Sequence, residues 1–253
     1  MKILRTVFLS LISCVFFTGC KTVTVVSKVE TSQYIFSDSS NTSIDSTTYQ
    51  FIAPYKATLD KTMNQPLAFT KTALVKSQPE SALGDFTADA CFSQIKKVCD
   101  TLHIAIPDFL FLNSGGLRTS VPQGIITRRN MYEVMPFENA LVILEMNGAL
   151  TNQLLMYIAA RGGEPVSGIK MILHDKHSQN VEINSIPFDS TKTYRIATSD
   201  YLANGGDNLD FLKDAKRINL NLKVRDAMIN YLIAANNSGD TLNIQTDGRI
   251  RKQ

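Results

Sequence analysis

The sequence predicts an α+β domain over residues 49–253, with helices packed on mixed β-sheets. Three observations predict it. Apolar residues recur at helical spacing in several segments, and short apolar runs bounded by turn residues read as strands. The two kinds of segment also fail to alternate strictly, as a doubly wound sheet would require. An apolar fraction of 44% suits a chain that buries a proper core, the length suits one domain with a short accessory segment, and no repeat is visible.

Residues 1–19 read as an export signal. Lys2 and Arg5 form a positive start, and Thr6 to Phe17 form an apolar stretch of 12 residues, short of the roughly 20 that a spanning helix needs. Phe17-Thr18-Gly19-Cys20 then places small residues just before a cysteine. This resembles the lipobox of bacterial lipoproteins, in which the cysteine is acylated and becomes the mature N-terminus. Cys20 would be the lipidation site, and the chain would sit in the bacterial cell envelope, periplasmic or surface-exposed, held to a membrane through its N-terminal lipid. An ordinary cleaved signal is the alternative. Residues 20–48 read as a tether or linker: Cys20 to Phe36 alternates Val and Thr, and residues 37–48 are polar without periodicity.

The domain begins with a helix over Tyr49 to Met63, where Phe51, Tyr55, Leu59 and Met63 share a face. A second helix over residues 83–102 aligns Cys91, Ile95, Val98 and Leu102. Asp108 to Leu112 is a strand, Thr127 caps a brief helix to Val134, and Ala140 to Met146 is a strand ending in Asn147-Gly148. Leu150 to Ala160 is a helix closed by Gly162 and Gly163. Ile169 to Asp175 and Val181 to Ile186 form a hairpin around Lys176 to Asn180. A strand over Tyr194 to Thr198, a helix over Val224 to Ala235 and a strand near Leu242 to Gln245 complete the chain.

Without residues 1–19 the chain loses Lys2 and Arg5, and its formal charge falls from +3 to +1. A nearly neutral chain gives no electrostatic basis for nucleic-acid binding. Cys91 and Cys99 lie eight apart in one predicted helix, about 12 Å along its axis, too far to bridge; buried apolar filler is the expected role.

Two glycine-rich loops carry the candidate chemistry: Asn113-Ser114-Gly115-Gly116-Leu117-Arg118 and Asp200-Tyr201-Leu202-Ala203-Asn204-Gly205-Gly206-Asp207. Each follows a predicted strand, and glycine lets a ligand come close to the main chain. Arg118 offers a planar donor fork for phosphate or carboxylate, and Asn113 offers a donor and an acceptor. Tyr201 offers a face on which a base can stack, and Asp207 a carboxylate that can accept from vicinal ribose hydroxyls. Taken singly, Arg118 also reads as a solvated surface residue, Asn113 as a turn former, Tyr201 as a core ring and Asp207 as a turn residue.

Together these segments resemble the C-terminal, substrate-binding domain of the 5′-nucleotidase/UDP-sugar hydrolase family. The resemblance rests on Asn113 to Arg118, on Pro136-Phe137-Glu138-Asn139, on Tyr201 to Asp207 and on Asp247-Gly248-Arg249-Ile250, in the family's order, over roughly residues 49–251. It implies the fold of that domain and a nucleotide or nucleoside ligand. Phe137 and Tyr201 would sandwich the base, Asn139 would touch its edge, Asp207 would accept from the ribose, and Asn113 and Arg118 would hold the ribose and phosphate side. Ser114 replaces a glycine, Tyr201 stands where phenylalanine is usual, and Glu138 brings negative charge toward the base pocket. In place of the family's further arginine upstream of the helix near Leu83, only Lys76 could supply a charge.

In that family the chemistry belongs to a separate metallophosphatase domain with two metals. The three histidines, His103, His174 and His177, lie in no matching motif, and the stretch from Cys20 to Tyr49 is too short for such a domain. The expectation is therefore no catalytic or metal-binding residue and no cofactor in this chain, with divalent metals held by a separate metallophosphatase partner. A stand-alone binding lipoprotein is the alternative. His174-Asp175-Lys176-His177 reads as an exposed polar turn rather than a metal site, because its two histidines would point to opposite faces of the hairpin unless the turn intervenes.

Overall fold

The computed structural model describes residues 25–33 and 45–253. Cys20, the predicted export signal and most of the polar stretch 37–48 lie outside the described residues. The chain divides into two units, residues 1–49 and residues 50–253. In the first, residues 25–33 have no regular structure, and Val25, Val26 and Val29 are exposed. The second holds the α+β domain that the sequence predicts.

The first helix, α1 (Ser46–Met63), starts three residues before the periodicity suggested, because Asp45 Oδ1 caps it by accepting from the backbone N–H groups of Thr47 and Thr48. The α1 face carrying Phe51, Tyr55 and Leu59 is exposed, so this stripe does not pack into the core as its spacing implied. The long helix α2 (Ala82–Leu102) is capped by Ser81, which accepts from Gly84 N. Both Cys91 and Cys99 are buried on it as free thiols.

At the centre is a five-stranded sheet. Its strands are β2 (Phe109–Phe111), β4 (Ala140–Asn147), β5 (Val166–Ser167), β9 (Thr193–Ser199) and β10 (Lys216–Lys223), in the order β10-β4-β9-β2-β5. Both faces are covered, so its central strands are apolar throughout rather than alternating. Leu110, Leu141, Ile143 and Ala197 face a core that includes α2 and α6 (Val224–Asn237). Phe109, Phe111, Val142, Leu144 and Ile196 face a second core, built on α4 (Gly148–Ala160) and β6 (Ile169–His174).

A four-stranded sheet joins β6 to β7 (His177–Ile183), β8 (Ile186–Pro187) and β11 (Ile250–Lys252). A small pair is formed by β1 (Pro66–Thr70) and β3 (Gly124–Thr127), which leads into α3 (Arg128–Val134). Thr127 caps α3 as predicted, in a capping box with Asn130.

Three readings are corrected. The expected loop over residues 176–180 is mostly strand, because the hairpin turns tightly at Asp175 and Lys176, whose φ values of 47° and 65° suit a two-residue turn. His174 and His177 are therefore direct cross-strand partners on one face, not on opposite faces. The last strand is β11, not Leu242 to Gln245; Leu242 makes only an isolated bridge to Thr70.

One buried carboxyl links fold to pH. Asp85, in the first turn of α2, is 3% exposed, and its Oδ2 has no hydrogen-bond partner. Burial pushes it from its ordinary 3.8 up to about 8, against the opposing pull of Arg249, with Glu80 and Asp247 adding like charge. Because the folded value is raised, the folded state holds the extra proton between these two values. Stability is therefore expected to fall as pH rises from about 4 to about 8. Urea unfolding across that range checks it: the Asp85 contribution to the slope should vanish in Asp85→Asn, and an unchanged slope would contradict it.

Candidate nucleotide site

Strand pairing brings the candidate residues to one edge of the central sheet. β2 and β9 run parallel, with Phe109 opposite Ile196 and Leu110 opposite Ala197, so both glycine loops leave their strands at the same end. β4 is antiparallel to β9, with Leu141 opposite Ser199. Its start therefore lies at that end too, and delivers Pro136-Phe137-Glu138-Asn139. Open sheets place ligands at such carboxyl ends.

At the centre lies Asp207. Tyr201 Oη donates to its Oδ1 at 2.8 Å, and Asn113 Nδ2 donates to its Oδ2 at 2.7 Å. The Tyr157 hydroxyl donates to the Asp207 carbonyl at 3.2 Å. The loop reaches this shape through Gly205 (φ 89°) and Asp207 itself (φ 54°). The Tyr201 ring lies against Gly206, where a Cβ would stand 2.5 Å from ring carbons, so a side chain at 206 would expel it.

The first loop is held from three sides. Glu164, whose side chain is fully buried, accepts from Ser114 N at 2.6 Å and pairs with Arg161 at 3.1 Å. Lys76 Nζ donates to the carbonyls of Ser114 (2.8 Å) and Leu117 (2.9 Å), so its charge does stand at this loop. Arg118 N donates to Val134 O, while its exposed guanidinium stands 6.0 Å from the Phe137 ring centre.

Phe137 is 41% exposed and Tyr201 43%, so both keep a face open to a ligand. The side chains thus form two groups, Asn113-Tyr201-Asp207 and Arg118-Phe137. Asp200 ties the second glycine loop to the start of β4, just after the Phe137 segment: its Oδ1 accepts from Tyr201 N (2.8 Å) and from Ala140 N (3.0 Å). Asn139 is half-buried, and its carbonyl accepts from Val224 N; its side chain belongs to neither group.

The negative charge of Glu138 beside Phe137 is paired rather than free. Glu138 is bound by Lys223 and Arg225, and these contacts, Lys223 first, hold its carboxyl down at about 2. Arg225, 3% exposed, also donates to the carbonyls of Met135 (3.1 Å) and Phe137 (3.3 Å), and stacks 4.0 Å from the Tyr132 ring centre. Glu164 and Arg225 were invisible in sequence, and Asp200 was legible only as the first residue of the second loop, since each acts on a segment 50 to 90 residues away. Among the described residues no group of three or more His, Cys, Asp or Glu side chains could hold a metal ion.

A family model described as 5′-nucleotidase, C-terminal domain, matches residues 57–214. Among characterised proteins, the chain is 33% identical over 105 residues to protein UshA of Yersinia enterocolitica, covering 40% of this chain and 19% of that protein. It is 29% identical over 188 residues to the trifunctional nucleotide phosphoesterase protein YfkN of Bacillus subtilis, covering 66% and 12%. The chain thus spans about a fifth or less of these two relatives. Among solved structures, a 5′-nucleotidase precursor of Thermus thermophilus aligns with TM-score 0.66 at 24% identity, over 82% of this chain and 43% of its own. The NAD nucleotidase of Haemophilus influenzae aligns with TM-score 0.62 at 21% identity, over 83% and 41%. At these identities the structural likeness speaks for the fold.

Proposed function

The chain belongs to the family of 5′-nucleotidase C-terminal domains, and from that premise we propose that it binds a nucleotide or nucleoside at the sheet edge. One observation carries the reading: Asp207, Asn113 and Tyr201 converge in a hydrogen-bonded cluster beside the Arg118-Phe137 pair. In this reading the base stacks on Phe137 and Tyr201 with Asn139 at its edge. Asp207 and Asn113 take the sugar, and Arg118, with Lys76 behind it, takes the phosphate side.

Hydrolysis would come from a separate metallophosphatase chain that holds the divalent metals. This chain would supply capture and orientation, which alone lower a barrier by fixing the reacting geometry. The described residues present no donor set for those metals, so no bond-breaking step is assigned to them. Acylated Cys20 would keep the domain at the membrane surface of the bacterial envelope.

Calorimetry with AMP, adenosine and uridine tests the site. Phe137→Ala and Tyr201→Ala are each expected to weaken binding about tenfold or more, the worth of one stacking contact. Absence of binding by the wild-type chain leaves a purely structural relative. Phosphate release from AMP with Mn²⁺ or Zn²⁺, by this chain alone and with candidate metallophosphatase chains, tests the division of labour. Strong release by the single chain overturns it, and binding without release in any mixture favours a stand-alone binder.

A further inference from the structure

Asp207 presents two carboxylate oxygens to a sugar, and the chain itself already uses both. The two internal donors are held differently. Asn113 is 9% exposed and stands two residues after the end of buried β2, so its amide is part of the frame. Tyr201 is 43% exposed and stands on a four-residue helix, α5 (Asp200–Ala203), with its ring against Gly206 and its phenol on Oδ1. The bond to Asp207 also raises the phenol above its ordinary range, so it remains a protonated donor through neutral pH.

The vicinal hydroxyls of a ribose point the same way and reach for one oxygen each. With Oδ1 taken by Tyr201, the second hydroxyl either stays in water or displaces the phenol. Displacement breaks one charge-assisted hydrogen bond to make another, so the exchange is close to neutral. A sugar with a single hydroxyl in this position forgoes nothing.

We propose that the Tyr201 hydroxyl stands in for one sugar hydroxyl on Asp207, so that the site accepts 2′-deoxyribose ligands about as well as ribose ones. The inference rests on the nucleotide reading above and makes Tyr201 a specificity residue for the sugar as well as a stacking face. A phenylalanine at 201 would keep the ring but leave Oδ1 open to the second hydroxyl.

The test is calorimetry of adenosine and 2′-deoxyadenosine with the wild-type chain, Tyr201→Phe and Asp207→Ala. The two wild-type dissociation constants are expected to agree within about threefold, and Tyr201→Phe to favour adenosine about tenfold by tightening it alone. A wild-type preference for adenosine of about tenfold or more overturns the proposal. So does a Tyr201→Phe chain with an unchanged ratio, or one that weakens both ligands equally. Failure of the underlying reading looks different: neither nucleoside binds the wild type, or Asp207→Ala leaves binding intact. Either result removes the sugar site itself and the proposal with it.

Discussion

Arg249→Ala is expected to destabilise the domain by about 3 kcal/mol. The guanidinium is 9% exposed and donates to both oxygens of Asp89 (2.8 and 2.9 Å), to Asp247 (2.9 and 3.0 Å) and to the Val166 carbonyl (2.8 Å). It also stands 3.5 Å from Asp85. These contacts fasten β11 and the segment before it to α2. Its partners fare differently when it is gone. The Asp89 and Asp247 side chains are 44% and 54% exposed and return to water, whereas that of Asp85 is 4% exposed and stays inside.

Removing one member of a buried ion pair costs about 3–5 kcal/mol, because the other charge is stranded. Asp85 escapes the upper end of that range by keeping its proton, since its carboxyl already titrates near 8. Guanidinium unfolding at pH 7 measures the loss. A change under about 1 kcal/mol would show that the carboxylates around Arg249 do not depend on it.

Arg225→Ala is expected to cost less, about 2 kcal/mol, and to weaken nucleotide binding about tenfold. The residue is as buried as Arg249, but its carboxylate partner Glu138 has a side chain 60% exposed and resolvates. What is lost is the pair of bonds to the Met135 and Phe137 carbonyls and the stacking on Tyr132. Those bonds hold the backbone beneath Phe137, so the ring loses its fixed position while remaining chemically intact.

Arg225→Ala and Phe137→Ala should therefore lower affinity by similar factors, and the double variant should lose little more than either alone. Calorimetry on the three chains checks this, and additive losses would place Arg225 outside the Phe137 platform. A circular-dichroism melt separates the binding effect from unfolding.

Much of the site was legible in sequence because its parts are local. Glycines beside Asn113, Arg118 and Asp207 announce loops whose backbone conformation depends on residue type alone, and the strands entering them are short apolar runs. The start of α3 was legible for the same reason: Thr127 caps it through a bond three residues long. The missed strands have weaker local signals. β1 finds its partner β3 some 60 residues later, and β10, at the sheet edge, reads Lys-Arg-Ile-Asn-Leu-Asn-Leu-Lys with little apolar content. Periodicity misled at α1, whose apolar stripe is exposed, because spacing shows that residues share a face and not that the face is covered.

The α+β class, the two glycine loops and the residue types that can meet a base, a sugar and a phosphate are all written in the order of the residues. Turn preferences, caps and short apolar runs act between near neighbours and can be read without a partner. Folding is what makes Tyr201 and Asn113 share the Asp207 carboxylate, pairs Glu138 with Lys223 and Arg225, and lets Asp200 join the second loop to the start of β4. Those outcomes follow from β2 and β9 running parallel with β4 antiparallel between β9 and β10, which carries segments some 60 to 90 residues apart to one edge. Hydrogen bonds and ion pairs act over about 3 Å, so a side chain's role is set by which segments the sheet brings within that reach.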